Sequence, residues 1–270
     1  MLKPACVSVA FAVCAVSASA DARLTALTDA LEMDTVVGIM RDEGLSYAQE
    51  LNDDMLAGQG GAFWTAQVTS IYNAQRMSET VLSALDQYLS PDDIDEAIRF
   101  FTTAHGAQII SLENASRIAM QDALVEETAK QNCVTPASED AAHLALIDQF
   151  TNVNDLIERN VSGAMSSTLQ FYAGLAQGNS FALSEEDTLK EVYSQEAEIR
   201  EDTVTWLCGY LLLAYRPLSL EALQAYVAFY ETDAGKALNS ALFEGYEQMY
   251  RDISYALGQA VALNVVGDDI

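Results

Sequence analysis

Tyr210, Tyr215, Tyr226, Phe229, Tyr230, Phe243, Tyr246 and Tyr250 crowd the last third of the chain. Tyrosine joins a large apolar ring to a polar tip. That suits a packed core first, with a protein interface or a groove for an apolar or peptide ligand as the alternative. Glu196, Glu198, Glu201 and Asp202 form a dense acidic stretch just before them. Paired carboxylates do acid–base work when burial drives their pKa values apart; on an exposed helix they are a solvated face. Asp92-Asp93-Ile94-Asp95-Glu96 has the acid density of a calcium loop. It lacks that loop's central glycine and closing glutamate, and helix capping accounts for it. His105 and His143 have no second ligand at i+3 or i+4 and no zinc-site spacing with Cys133. No Gly-x-Ser-x-Gly, His-Glu-x-x-His, P-loop or dinucleotide fingerprint occurs. The sequence therefore indicates no catalytic residue, no cofactor-binding residue and no metal ligand.

The elements that must position these groups come in two related sets. Leu89 to Met120 and Leu218 to Met249 align without a gap, 129 residues apart. Leu89/Leu218, Ser90/Ser219, Phe100/Phe229, Thr103/Thr232, Gly106/Gly235, Ser111/Ser240 and Met120/Met249 are identical. A repeat constrains the architecture before any other feature. It also shows what the fold can spare, since His105 in one copy is Ala234 in the other. Three positions gain a hydroxyl or a whole ring in the second copy: Ala97 becomes Tyr226, Phe101 becomes Tyr230, and Arg117 becomes Tyr246. A buried hydroxyl without a partner costs roughly 1–3 kcal/mol. Tyr226, Tyr230 and Tyr246 are therefore the candidate ligand or partner contacts, with Tyr230 or Tyr246 expected to reach a cleft.

Alanine and leucine are abundant and proline is scarce, so helix is the natural class. Leu24 to about Leu56, and Phe63 to Leu89, carry helical spacing on either side of Gly58-Gln59-Gly60-Gly61. Ser90 is an N-cap with Pro91 at the first helical position, and Ile94, Ala97, Ile98 and Phe101 form an apolar stripe. Phe100-Phe101, Thr103 and Gly106, and again Phe229-Tyr230, Thr232 and Gly235, spell helix, tight corner, helix, with each glycine marking a close approach or a positive φ. After Pro136, Ser138 is expected to cap a helix running to about Gln177, and Ser184 one that leads into a helix over Lys190 to Tyr215. The prediction is all-α: a tandem duplicated bundle of about four helices per repeat. Residues 21–132 would form one copy, 133–140 a linker and 141–264 the second, with a frayed tail at 265–270.

The repeated phrase resembles the exported bacterial domain-of-unknown-function family numbered 2059. In that family a helix ends in Phe-Tyr, a Ser or Thr follows, and a glycine opens the next helix. Phe229-Tyr230-Glu231-Thr232-Asp233-Ala234-Gly235 is the better match, within 218–249. Phe100-Phe101-Thr102-Thr103-Ala104-His105-Gly106 is a more drifted copy. Asp233 and Ala104 stand where the family often has proline, and Phe101 replaces its tyrosine. The resemblance implies helical structure and export, and no activity.

Lys3, the apolar run Ala5 to Val16 and Ala18-Ser19-Ala20 read as a signal peptide cleaved after Ala20, placing the mature chain in the periplasm or outside the cell. The longest remaining apolar run, Val204 to Tyr215, is too short to span a bilayer, which needs roughly 20 residues. Cys133 and Cys208 are the cysteines of the mature chain; in an oxidising compartment they either form a disulfide or stay buried thiols. The net charge is −27, and cleavage removes one lysine and no acid, leaving −28. Such a field repels nucleic acid and anionic lipid and suits solubility or a cationic partner. The expected function is a non-enzymatic binding or protein-interaction module of the bacterial envelope, with a protein, peptide or apolar ligand as partner. The alternatives are a carboxylate/tyrosine-dependent enzyme acting on an envelope polymer, or a structural assembly subunit.

Overall fold

Prolines fall where the chain changes direction: Pro91 opens a helix, Pro136 lies in the central break and Pro217 separates two helices. The computed structural model describes residues 22–178 and 184–266. The expected signal peptide lies outside these residues, as do 267–270 of the expected tail; Val265 and Val266 still belong to the last helix. The described residues are helical without a strand. In order come α1 (22–30), α2 (Met33–Met55), α3 (Gly61–Ile71), α4 (Ala74–Tyr88), α5 (Pro91–Phe101), α6 (Ala104–Ala119) and α7 (Ala123–Val134). A short 3-10 turn, Ser138–Asp140, leads into α8 (Ala141–Val153), α9 (Leu156–Leu175), α10 (Glu185–Ser194), α11 (Glu196–Tyr215), α12 (Leu220–Glu231) and α13 (Asp233–Val266).

At Ser90, Thr103, Ser184, Ser219 and Thr232, side chains start helices where the sequence predicts. The Ser90 hydroxyl accepts from the Asp93 N–H while the Ser90 N–H donates to the Asp93 carboxylate, a closed capping box. The two corners are built alike. Thr103 Oγ1 accepts from the Gly106 N–H at 3.0 Å, and Thr232 Oγ1 from the Gly235 N–H at 3.1 Å. A β-carbon on Gly106 would lie 2.3 Å from the Phe100 carbonyl oxygen, and one on Gly235 would lie 2.1 Å from that of Phe229. Close approach, not a positive φ, is what each corner asks of its glycine. Thr232→Ala, which removes the cap and leaves the glycine, should cost about 1 kcal/mol in chemical denaturation. An unchanged midpoint would show that packing alone holds the corner.

Four stretches expected to be continuous helix are broken, each without glycine or proline. Glu32 divides the first at φ 48°, and Asp155 divides the helix expected to run to Gln177 at φ 52°. Asn73, as N-cap to Arg76, separates α3 from α4, and Gln195 separates α10 from α11. Contacts from distant helices occupy two of these breaks. Glu32 accepts from Asn114 Nδ2 at 3.0 Å, and the carbonyl of buried Asn154 accepts from Asn239 Nδ2 at 3.1 Å. Ser138 does not cap α8. Asp140 precedes that helix, and its carboxylate faces away to hold the Arg216 guanidinium in a two-pronged pair.

The long helix α13 is packed by α9, α4, α5 and α12, while α11 packs on α7, α6 and α9. Helices from both sides of residues 133–140 thus share one hydrophobic core, from Val81, Leu85 and Ile109 to Leu223, Leu238 and Val261. The backbones of α9 and α13 nearly touch. A β-carbon on Gly174 would meet the Tyr255 carbonyl oxygen at 2.2 Å, and one on Gly258 would meet that of Phe171 at 2.1 Å. Within the core the aromatics of the two corner motifs meet: Phe100 and Phe229 stack with centroids 4.7 Å apart, and Phe101 stands edge-on to Phe229 at 5.4 Å. Cys133 and Cys208 are joined in a disulfide between α7 and α11, with Cα atoms 6.0 Å apart.

Candidate functional site

Helix α6 turns Ile109, Glu113 and Arg117 to one face, because residues four apart lie one above the other. Ile109 is fully buried, so the two charged side chains enter the protein along a core stripe. Glu113 Oε1 accepts two hydrogen bonds, from the Tyr215 hydroxyl at 2.6 Å and the Tyr226 hydroxyl at 2.9 Å. Tyr210 donates to the Glu113 main-chain carbonyl at 3.2 Å, and Trp206 stacks on the Tyr210 ring. The Tyr230 ring stands edge-on to Tyr226 at 5.1 Å, with its hydroxyl beside that of Tyr226. One turn further along α6, Arg117 forms a fork on Glu43 of α2, with Nε–Oε1 at 2.9 Å and Nη2–Oε2 at 2.8 Å, and approaches the Tyr250 hydroxyl of α13.

Electrostatics follow from this enclosure. Part of residue Glu113 touches solvent, but its carboxyl sits among rings. Burial raises its pKa above the ordinary carboxylate value, while the hydrogen bonds from Tyr215 and Tyr226 pull the other way. Burial also raises Tyr210, Tyr215, Tyr226 and Tyr230, and the Glu113 charge adds to it. Burial works against the Arg117 charge, but Tyr250 and the Glu43 fork outweigh it and hold the guanidinium above its usual range. Tyr210, Tyr215, Tyr226 and Tyr230 are thereby held in the neutral form, in which Tyr210, Tyr215 and Tyr226 donate to Glu113.

A raised carboxyl group suits general acid catalysis, provided a substrate comes within hydrogen-bond reach. The principal grooves among the described residues lie elsewhere. One of about 420 Å³ runs between the α3–α4 corner and α13, lined by Ile71, Arg76, Met77, Met249 and Ile253. A neighbour is lined by Glu79, Tyr88, Glu244 and Gln248. Neither contains Glu113 or its tyrosines.

The candidate contacts fall inside. Tyr226 is 3 % exposed and Tyr230 6 %, so both are core residues. Tyr246 is partly buried, and its hydroxyl points at Met33 Sδ, 3.3 Å away. The three added hydroxyls have internal company, so none needs a cleft. Tyr215, 1 % exposed, and Tyr226 find theirs in Glu113. The repeat gave no pointer to Glu113, whose place is taken by Leu242 in the second copy, and Arg117 entered only as the counterpart of Tyr246. The available signal was two charged residues spaced four apart on the stripe of Ile109. His105 is exposed, and His143 Nε2 lies 3.0 Å from the Leu218 carbonyl, a structural contact. Asp93 closes the capping box, Asp95 pairs with Arg23, and Glu198, Glu201 and Asp202 face solvent.

The segment that carries Glu113 and Arg117 is also where the chain resembles other proteins. Residues 75–133 match the family described as "Uncharacterized protein conserved in bacteria (DUF2059)". The DUF2059 stretch runs from α4 into α7 and holds the capping box, the Thr103–Gly106 corner, Glu113, Arg117 and Cys133. It covers the first copy of the repeated phrase, where the sequence had pointed to 218–249 as the nearer one. No curated protein and no solved structure matches the chain.

Proposed function

We propose that the chain is an exported, non-enzymatic binding or protein-interaction module of the bacterial envelope. The observation that carries this reading is the use of its reactive groups. The Glu113 carboxyl is occupied by Tyr215 and Tyr226, and Arg117 by Glu43, so the groups able to do chemistry are spent on joining helices. The Cys133–Cys208 disulfide supports export, because such bonds persist in oxidising compartments. The Lys3 to Ala20 pattern supports the same route. A strongly acidic exterior favours a protein or peptide partner with cationic groups over nucleic acid.

Two halves, 21–132 and 141–264, descend in this reading from a duplicated unit. The matched corners at Thr103–Gly106 and Thr232–Gly235 support this, as does the stacking of the equivalent residues Phe100 and Phe229 on each other. Self-contact between equivalent positions is what a two-fold relation produces.

The test uses full-length protein expressed in a bacterial host and recovered from the periplasm. Intact mass should show a chain beginning at Asp21, and native mass spectrometry should show a retained peptide, apolar molecule or protein partner. Retention of residues 1–20 in a cytoplasmic protein would overturn export. Turnover of an envelope polymer by the wild type, lost in Glu113→Gln, would establish the carboxylate-dependent enzyme instead.

A further inference from the structure

We propose that the Cys133–Cys208 disulfide is a redox-released strap: its reduction frees α7 from α11 and lets α7 melt while the remaining helices stay folded. The proposal does not rest on the functional reading above. Helix α7 has twelve residues and buries one of them, Ala129, which stands apart from the main core cluster. Leu124 and Val134, near its two ends, are 76 % and 69 % exposed. Its polar contacts are local. Asp122 caps Leu124 and Val125, Lys130 pairs with Glu126, Thr128 bonds the Leu124 carbonyl, and Gln131 bonds Thr135. None of these reaches another helix. The chief partner of α7 is α11, where Gly209 admits the α7 backbone closely; a β-carbon there would lie 2.9 Å from the Ala129 carbonyl carbon.

A helix of this length is marginal in water by itself, and most helical stability comes from burying an apolar face. Helix α7 buries only Ala129 fully and meets the main core through Cys133, so the covalent bond reinforces an attachment that packing leaves narrow. The rest of the segment is fixed. Met120 is buried at the end of α6, and buried Asp140 is gripped by Arg216. Release is thereby confined to the chain between them. Both cysteines keep some solvent contact, as thiol–disulfide exchange requires. A thiolate of an external dithiol attacks one sulfur, forms a mixed disulfide and expels the other cysteine as a thiolate. The second thiol of the donor then closes on the mixed disulfide. Two electrons and two protons pass to Cys133 and Cys208, and the donor leaves as its own disulfide.

Hydrogen exchange on the full chain tests this, comparing the oxidised protein, the protein treated with dithiothreitol, and the Cys133→Ser/Cys208→Ser variant. Amides of 123–134 should lose protection by about tenfold or more in the last two, with α6, α11 and α13 unchanged. Trypsin should then cut after Lys130, which the oxidised protein resists. Unchanged protection in α7 overturns the strap, and so does loss spread over α6, α11 and α13. Release in only one of the two reduced preparations overturns it too, because the missing bond is then not the cause.

Discussion

Gly235→Val is expected to lower stability by about 2–4 kcal/mol, while His105→Ala changes it by less than about 0.5 kcal/mol. A β-carbon at 235 would stand 2.1 Å from the Phe229 carbonyl oxygen and 2.6 Å from the Tyr230 Cα, both backbone atoms of the preceding helix. Backbone cannot rotate aside as a side chain can. The corner must open, which pulls the Gly235 N–H from Thr232 Oγ1 and shifts Phe229 and Tyr230 within the aromatic cluster. The cap alone is worth about 1 kcal/mol, and forced overpacking adds about 1–3. For a domain of this size that is a fall in Tm of roughly 10 °C. His105 is exposed beside the other corner, and alanine is a better helix former. Thermal melts of the two variants decide the matter, and equal losses would refute the close-approach account.

Glu113→Ala should cost about 2–6 kcal/mol, and Glu113→Gln much less. Alanine removes the acceptor shared by Tyr215 and Tyr226, stranding two nearly fully buried hydroxyls at about 1–3 kcal/mol each. Glutamine keeps an oxygen in the same place. The pH dependence separates the two states of the carboxyl. Burial raises Glu113 from its ordinary 4.5, so in the window between that value and the raised one the folded protein holds a proton that the unfolded chain has released. Stability contributed by Glu113 is therefore fully present below the window and declines as pH rises through it. The Gln variant has no titrating group here. The unfolding free energy of the wild type minus that of Glu113→Gln should fall with rising pH across the window. A flat difference would show that the carboxyl is not held neutral by its surroundings. Identical losses in the Ala and Gln variants would show that hydroxyl pairing is not its role.

The all-helical class, the Ser90, Thr103, Ser184, Ser219 and Thr232 caps, and the two glycine corners were legible in the sequence. Each depends on interactions within about four residues, where propensity and capping act. Breaks at Glu32 and Asp155 were not legible, because nothing local forbids a helix through either residue. Asn114 meets Glu32 across 82 residues, and Asn239 meets the carbonyl beside Asp155 across 85. The same limit hid the buried cluster. That a tyrosine hydroxyl needs a partner follows from its chemistry, but the partner of Tyr226 lies 113 residues earlier, in the copy of the repeat with fewer aromatics. Composition favoured a core for those rings and left a groove as the alternative. The crossing of α9 and α13 at Gly174 and Gly258 had no signal beyond two small residues in helical runs. Sequence determined where the helices capped by Ser90, Thr103, Ser184, Ser219 and Thr232 begin, and which of their faces are apolar. Tertiary structure alone decided which faces meet, and so placed Tyr226 and Tyr230 in the core, Tyr246 partly buried beside it, and Glu113 at the centre of the tyrosine cluster.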